Sequence, residues 1–244
     1  MLRPVKKRIE HMLKPFPTLY RWASRLYGTV NRSTAPLSPG APGALREALA
    51  LAKEWASGDV GDYYEFGIYR GGAFAAAQRA CRELGIESVH FYGFDSFQGL
   101  PPVEGIDETD GIFYEGQFAA PKDAVVRNLT EEGVDWDRTT LIEGFFSDSL
   151  TEEAKEAYPF RSVAVALLDC DLYSSTQEVL SWLESYLVDG SILLFDDWES
   201  FGDDGDLGQK RAFSEFLTKH PGLQAESLLS FPPHGQGFVV RRGQ

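Results

Sequence analysis

The chain is poor in the residues that carry redox and soft-metal chemistry. It has two cysteines, Cys81 and Cys170, and two methionines among 244 residues. Neither cysteine belongs to a CxxC pair and both sit in apolar stretches, which suits reduced, buried thiols and speaks against a thiolate metal site. Long apolar runs are also missing. No stretch approaches the roughly 20 residues of a membrane span, and no uninterrupted apolar segment precedes a small-residue cleavage site, so no secretory signal is expected. Positive charge is scarce, with a formal net charge of −14 and a pI near 4.7. That balance argues against a general nucleic-acid binder, whose affinity rests on neutralising phosphates. What remains is a cytoplasmic globular protein, 43% apolar and 13% aromatic, too rich in core-forming residues for whole-chain disorder.

The basic residues that exist are concentrated at the start. Residues 1–32 hold eight Lys or Arg against Glu10 alone, which leaves −21 on the remainder (−14 less +7). Leu2, Met12, Leu13, Phe16, Leu19, Tyr20, Trp22 and Leu26 are interleaved with them. This reads as a helical extension packing on the body or on a second subunit, with weak contact to an anionic membrane surface as the alternative. A Ser, Pro and Gly-rich stretch, Asn31 to Ala44, follows as a linker. The expected organisation is an extension and linker over residues 1–44 and one main domain over 45–244.

From residue 45 onward, helical patterns alternate with short apolar runs. Helices are expected at Leu45–Trp55, Gly72–Leu84, Lys122–Glu132, Ser174–Tyr186 and Gln209–Lys219. Strands are expected at Asp62–Phe66, Ser88–Phe94, Thr139–Ile142, Val163–Leu168 and Ser191–Phe195, with "LQAESLLSF" and "GQGFVVRR" as a closing hairpin. The alternation predicts an α/β, Rossmann-like, mostly parallel seven-stranded sheet with a C-terminal antiparallel hairpin and an N-terminal helical extension. Ligands of such sheets bind beyond the carboxyl ends of the strands.

Chemistry-bearing residues gather at those ends. The first strand runs into "EFGIYRGG", an acid, Glu65, ahead of Gly67, Tyr69 and Gly71. Glycines let the backbone turn sharply beside a ligand. A dinucleotide fingerprint would place a pyrophosphate here. The preceding acid repels phosphate and favours an amino-acid ammonium, the pattern of an S-adenosylmethionine site, with a purely structural turn as the alternative. The second strand ends at Asp95 and Ser96; an acid there suits two ribose hydroxyls and otherwise reads as a helix cap or turn acid. After the third strand, Glu143, Gly144, Phe145, Ser147 and Asp148 are placed near the adenine; Asp148 equally reads as an N-cap.

The fourth strand ends "LLDCDLYSST" and the fifth "LLFDDW". Asp169 and Asp171 thus approach Asp196 and Asp197. Converging carboxylates repel one another and resist desolvation, and a hard divalent cation such as Mg²⁺ is the natural guest. The alternative is that Arg, Lys or backbone donors hold them. A cation beside a methyl donor lowers the pKa of a substrate hydroxyl, and a carboxylate accepts its proton.

These blocks together, with "FYGFDSFQGLP", "EGFFSDSL" and "GQKRAFSEF", resemble the macrocin and mycinamicin sugar O-methyltransferase family over about Glu65 to Phe216. The resemblance implies a class I methyltransferase fold, transfer from S-adenosylmethionine to a sugar hydroxyl, Mg²⁺ on Asp169, Asp196 and Asp197, and a dimer or higher oligomer. It also implies that Asp169 is the general base and contributes to the cofactor site. Cys170 stands where the family pattern has Gly, and Trp198 where it has Tyr. Residues 102–118 read as an acidic lid, with Phe113, Tyr114, Tyr173 and Trp198 beside Asp171 as candidate substrate contacts or as local packing. Competing readings are a methyltransferase of catechol-like phenols, a nucleotide-binding dehydrogenase and a non-catalytic binding module.

Overall fold

Val163–Leu168 and Ile192–Phe195 are buried at every position, as strands must be when helices cover both faces of a parallel sheet. They form the middle of the sheet in the computed structural model of the protein, which describes residues 40–108, 112–201, 205 and 207–243. The chain divides into two units, Met1–Thr34 and Ala35–Gln244, and the described residues belong to the second. The expected basic extension and most of the expected linker therefore lie outside the described residues. No helix among the described residues is long and apolar enough to cross a membrane.

The elements in order are α1 (Ala41–Trp55), β1 (Asp62–Phe66), α2 (Gly72–Leu84), β2 (Phe91–Asp95), α3 (Lys122–Glu131), β3 (Thr139–Glu143), α4 (Phe146–Ser149), α5 (Glu152–Ala157), β4 (Val163–Leu168), α6 (Tyr173–Leu183), β5 (Ile192–Phe195), α7 (Gly208–Lys219), β6 (Leu223–Phe231) and β7 (Gly235–Arg242). The sheet order is β3-β2-β1-β4-β5-β7-β6. β1 to β5 run parallel, and β7 pairs antiparallel with both β5 and β6.

Strand alternation sorts the two layers. Tyr63 packs with α1, α2 and α3, while Tyr64 and Phe66 pack with α6 and α7. On that second face Phe66 stacks on Phe94 at 4.8 Å, and Trp182 meets Phe160 edge-on at 4.9 Å. Much of the aromatic content is spent there.

Differences from expectation have local causes. β2 begins at Phe91, not Ser88, because the preceding backbone is held by side chains. His90 N donates to Asp62 Oδ1, and the Arg161 guanidinium takes the Ser88 carbonyl. α1 starts at Ala41, inside the expected linker, with a proline in its first turn, a position that tolerates one. α6 tightens into a 3-10 turn over Glu184–Tyr186. α5 was not foreseen; Thr151 caps it, accepting from Ala154 N at 3.2 Å. Asp148 is not the N-cap of α4. Phe145 holds that position, and Asp148 lies within the helix.

Candidate active site

Strand register sets the site. Asp95 pairs with Glu143, Phe66 with Phe94 and Leu168, and Leu168 with Phe195. One residue further on, a single row crosses the carboxyl edge of five strands: Glu143, Asp95, Gly67, Asp169, Asp196. Four acids flank one glycine. Gly67 has φ +91°, and a Cβ built on it would stand 1.8 Å from the Asp169 carbonyl oxygen. Here the backbone of β4 passes so close that no side chain fits.

Glu65 is fully buried two residues before that glycine. The Tyr63 hydroxyl donates to its Oε2 at 2.5 Å, and Oε1 has no hydrogen-bond partner among the described residues. Burial pushes its pKa up to about 8, against the lowering effect of the Tyr63 bond. The turn beyond it is tight. Tyr69 adopts φ 50° and Gly71 φ 86°, and a Cβ on Gly71 would meet Leu129 Cδ2 at 2.5 Å.

Asp95 braces this turn from below. Its Oδ2 accepts from Ile68 N at 2.7 Å and Tyr69 N at 2.8 Å, and its Oδ1 from Phe97 N at 2.6 Å. Burial still raises its pKa despite those three donors. Much of the carboxylate's hydrogen-bonding capacity, expected to serve a ribose, is thus already used on the chain's own backbone. Ser96 is similarly engaged, donating to Gly99 O at 2.8 Å. Gly144 N donates to Asp95 O at 3.1 Å, Phe145 precedes α4, and Ser147 is exposed.

On the other side of Gly67 stand the four aspartates. Asp169, Asp171, Asp196 and Asp197 are each half-buried, enclosed by protein yet reached by solvent. Burial raises Asp169 well above the carboxylate range, and Asp196, Asp197, Asp171 and Glu65 push it further. Asp171 is raised by burial and by Asp197 and Asp196, and it holds a left-handed φ of 60°. Asp197 is raised by burial against a bond from Ser200 Oγ at 3.1 Å and the field of His234. Its Oδ2 is buried without a hydrogen-bond partner among the described residues.

Among the described residues no three His, Cys, Asp or Glu side chains form a ready metal cage. The donor set fits a hard divalent cation in kind: oxygen ligands, mutually repelling, with an orphaned buried carboxylate oxygen. The neutralising lysine or arginine of the alternative reading is not what bears on Asp169, whose neighbours are acids.

The expected substrate contacts divide. Trp198 packs on Phe238 at 4.7 Å and Phe195 at 5.3 Å, within the cluster under β7. The Tyr173 hydroxyl donates to Glu215 at 2.6 Å. Phe113 packs on Phe201, with Leu100 and Leu172, and Tyr114 N donates to Gln117 Oε1. The sequence reading gave no role to Asp107, a buried acid of the lid. It accepts from Tyr173 N at 2.7 Å and Ser174 N at 3.2 Å, and so caps α6. Tyr63 and Gln209 were missed too. The signal for Gln209 was a polar residue on the inward stripe it shares with Ala212, Phe213 and Phe216.

Comparison with known proteins gives concordant matches. The 4'-O-methyltransferase of 8-demethyl-8-(2,3-dimethoxy-alpha-L-rhamnosyl)-tetracenomycin C from Streptomyces olivaceus is 30% identical over 59% of this chain and 55% of its own. The mycinamicin III 3''-O-methyltransferase of Micromonospora griseorubida is 28% identical over 58% of this chain and 56% of its own. The chain thus spans little more than half the length of these relatives. The solved O-methyltransferase NovP has the same fold, with TM-score 0.66 and 22% identity over 82% of this chain and 79% of that one. The family model of macrocin O-methyltransferase (TylF) matches residues 45–219, and the chain belongs to that family.

Proposed function

We propose that the protein is an S-adenosylmethionine-dependent O-methyltransferase acting on a sugar hydroxyl of a glycoside, assisted by a divalent cation. The observation that carries this is the row Glu143–Asp95–Gly67–Asp169–Asp196, which sets a Gly-rich turn for a small cofactor beside a cluster of acids. The family match supports the class of reaction. The rhamnosyl group in one relative's name supports the sugar.

When bound, S-adenosylmethionine supplies the methyl group, and a divalent cation supplies the positive charge that acidifies the acceptor hydroxyl. The chain's own residues do the rest. Glu65 offers Oε1 to the cofactor's ammonium. The turn of Gly67, Tyr69 and Gly71, held by Asp95, fixes where the cofactor sits. Asp169, Asp196 and Asp197 would hold the cation. Asp169, at the end of β4 next to Gly67 in the row, accepts the proton from the hydroxyl. Holding the acceptor oxygen beside the donor would make the transfer effectively unimolecular.

One observation favours a second assignment of the base. Asp171 sits in a strained left-handed conformation at the same cluster, and a carboxylate engaged by a cation is a poorer base than one beside it. Asp169→Asn and Asp171→Asn separate the two. A kcat lost in Asp171→Asn with divalent-ion affinity kept assigns the base to Asp171; a kcat kept in Asp171→Asn, with kcat and ion affinity both lowered in Asp169→Asn, assigns it to Asp169.

The test of the whole reading is methyl transfer from S-adenosylmethionine to a panel of deoxysugar glycosides and catechols, with and without a chelator, and with Asp197→Asn. Transfer to a glycoside that both the chelator and the substitution abolish supports it. Transfer that survives both removes the cation, and transfer to catechols alone removes the sugar.

A further inference from the structure

β4 and β5 part company just where their acids begin. The last backbone bond between them runs from Asp196 N to Leu168 O at 3.1 Å. Beyond it the paired register of the two strands ends. The Asp171 backbone bonds the Asp197 carboxylate, and a second tie, to the Asp197 backbone, comes from α7. Gln209, 1% exposed, donates through Nε2 to Leu168 O at 3.0 Å and accepts through Oε1 from Asp197 N at 3.0 Å. Its amide takes the place of one more peptide unit, linking the residue before Asp169 to Asp197 itself.

Chemistry limits what side chain can do this. The bridge needs one donor and one acceptor a few ångströms apart, facing a carbonyl and an N–H respectively, which is an uncharged amide. α7 delivers it rigidly. Phe213, one turn on, packs on Phe195 at 4.8 Å, and the Lys210 ammonium pairs with Glu199 at 2.7 Å. A charged bridging group would add to the four acids already present, or would neutralise them and leave no need for a cation.

We propose that Gln209 is a positioning residue for the acid cluster, locking the spacing of Asp169 and Asp197 so that both address one divalent cation. This rests on the cation-assisted reading above. Partners of this kind, one step removed from the ligands, typically change metal affinity about 10- to 100-fold when lost.

The experiment is a Mn²⁺ titration of the full chain followed by electron paramagnetic resonance, with S-adenosylhomocysteine affinity measured separately without metal. Wild type is compared with Gln209→Met, which keeps the bulk and deletes both bonds, and Gln209→Glu, which keeps the acceptor and deletes the donor. The expected result is Mn²⁺ binding weakened about 10-fold or more in Gln209→Met, a smaller or equal loss in Gln209→Glu, and unchanged S-adenosylhomocysteine affinity in both. Wild-type Mn²⁺ affinity in either variant overturns the proposal while leaving the cation reading standing. Parallel loss of Mn²⁺ and S-adenosylhomocysteine in both variants overturns it in favour of a general packing role. A wild type that binds no Mn²⁺ overturns the cation reading and the proposal with it.

Discussion

The Tyr63 hydroxyl donates to Glu65 Oε2 at 2.5 Å across two residues of β1, and this bond is one of the influences that hold the Glu65 pKa down to about 8. Without cofactor, Glu65 therefore carries a proton through the neutral range. An ammonium partner requires the carboxylate, so cofactor binding below about pH 8 must expel that proton. The affinity for S-adenosylhomocysteine should rise with pH up to that point and then level. Calorimetry in buffers of different ionisation enthalpy should detect the proton released. Tyr63→Phe removes a lowering influence and should move the rise to higher pH. Affinity that is flat across this range, with no proton release, would show that Glu65 does not meet the ammonium.

The same burial makes Glu65 a burden on the empty fold. Its folded pKa of about 8 lies above the ordinary value of 4.5, so the native state holds a proton that the unfolded chain gives up. Stability is full below the ordinary value and falls as pH rises toward 8. Glu65→Gln should raise the melting temperature of the cofactor-free protein at pH 8 more than at pH 5. It should also abolish S-adenosylhomocysteine binding. A variant that loses stability at both pH values would mark Glu65 as a purely structural acid.

Most of the sheet was legible because each buried strand is a short apolar run bounded by glycines or acids. β1, α2 and β4 fall on their expected boundaries. The unforeseen pieces depend on contacts that apolar periodicity does not show. α5 is held by a local Thr cap and an ion pair of Lys155 with Glu152, features too short for periodicity to reveal. At the site, the acids were readable from their position at strand ends. Their handling was readable only in part. A turn acid is one sequence reading of Asp95, but its hold on Ile68, Tyr69 and Phe97 together, and the capping of α6 by Asp107, follow from where loops cross. Trp198 next to an acid pair suggested a sugar-stacking ring, but β7 brings Phe238 beneath it.

Gly67→Ala tests the closest approach in the site. The substitution places a Cβ 1.8 Å from the Asp169 carbonyl and asks an L residue to hold φ +91°. Left-handed strain and overpacking together should cost roughly 2–5 kcal/mol. Because the strain sits between the cofactor turn and Asp169, affinity for S-adenosylhomocysteine should fall even in the fraction that stays folded. Circular dichroism melting and calorimetry on the same sample separate the two losses. Native affinity in a folded variant would show that the turn can move aside.

A structural clasp at the opposite edge of the sheet provides the contrast. Asp62 is fully buried and accepts from His90 N at 2.9 Å and from the Arg161 Nε at 3.1 Å. The Arg161 guanidinium also reaches Asp59 and the Ser88 carbonyl. Arg161→Met leaves the buried carboxylate with only the backbone donors His90 N and Arg161 N, a loss that should fall below the roughly 3–5 kcal/mol of a fully buried pair because Arg161 is partly exposed. Denaturant melts should show that loss, while S-adenosylhomocysteine affinity of the folded protein is unchanged. Weakened cofactor binding would mean that the two edges of the sheet are coupled.

The cation proposed for the acid cluster should show itself through stability alone. Asp169, Asp171 and Asp197 all have folded pKa values raised by burial. Without a cation the native state holds protons that the unfolded chain releases, so stability falls as pH rises above the ordinary carboxylate range. A divalent cation replaces those protons, and its benefit must grow with pH as competition from protons fades. Melting temperatures in chelator and in excess Mg²⁺ should therefore diverge from pH 5 to pH 8. The gap should approach the stabilisation of about 2.7 kcal/mol given by a ligand at a hundred times its Kd. Asp197→Asn should narrow the gap from both sides, raising stability in chelator by removing one repelling charge and lowering it in Mg²⁺ by removing a ligand. Curves that coincide at pH 8 would mean that the acids tolerate one another by holding protons, and that methyl transfer proceeds without a metal.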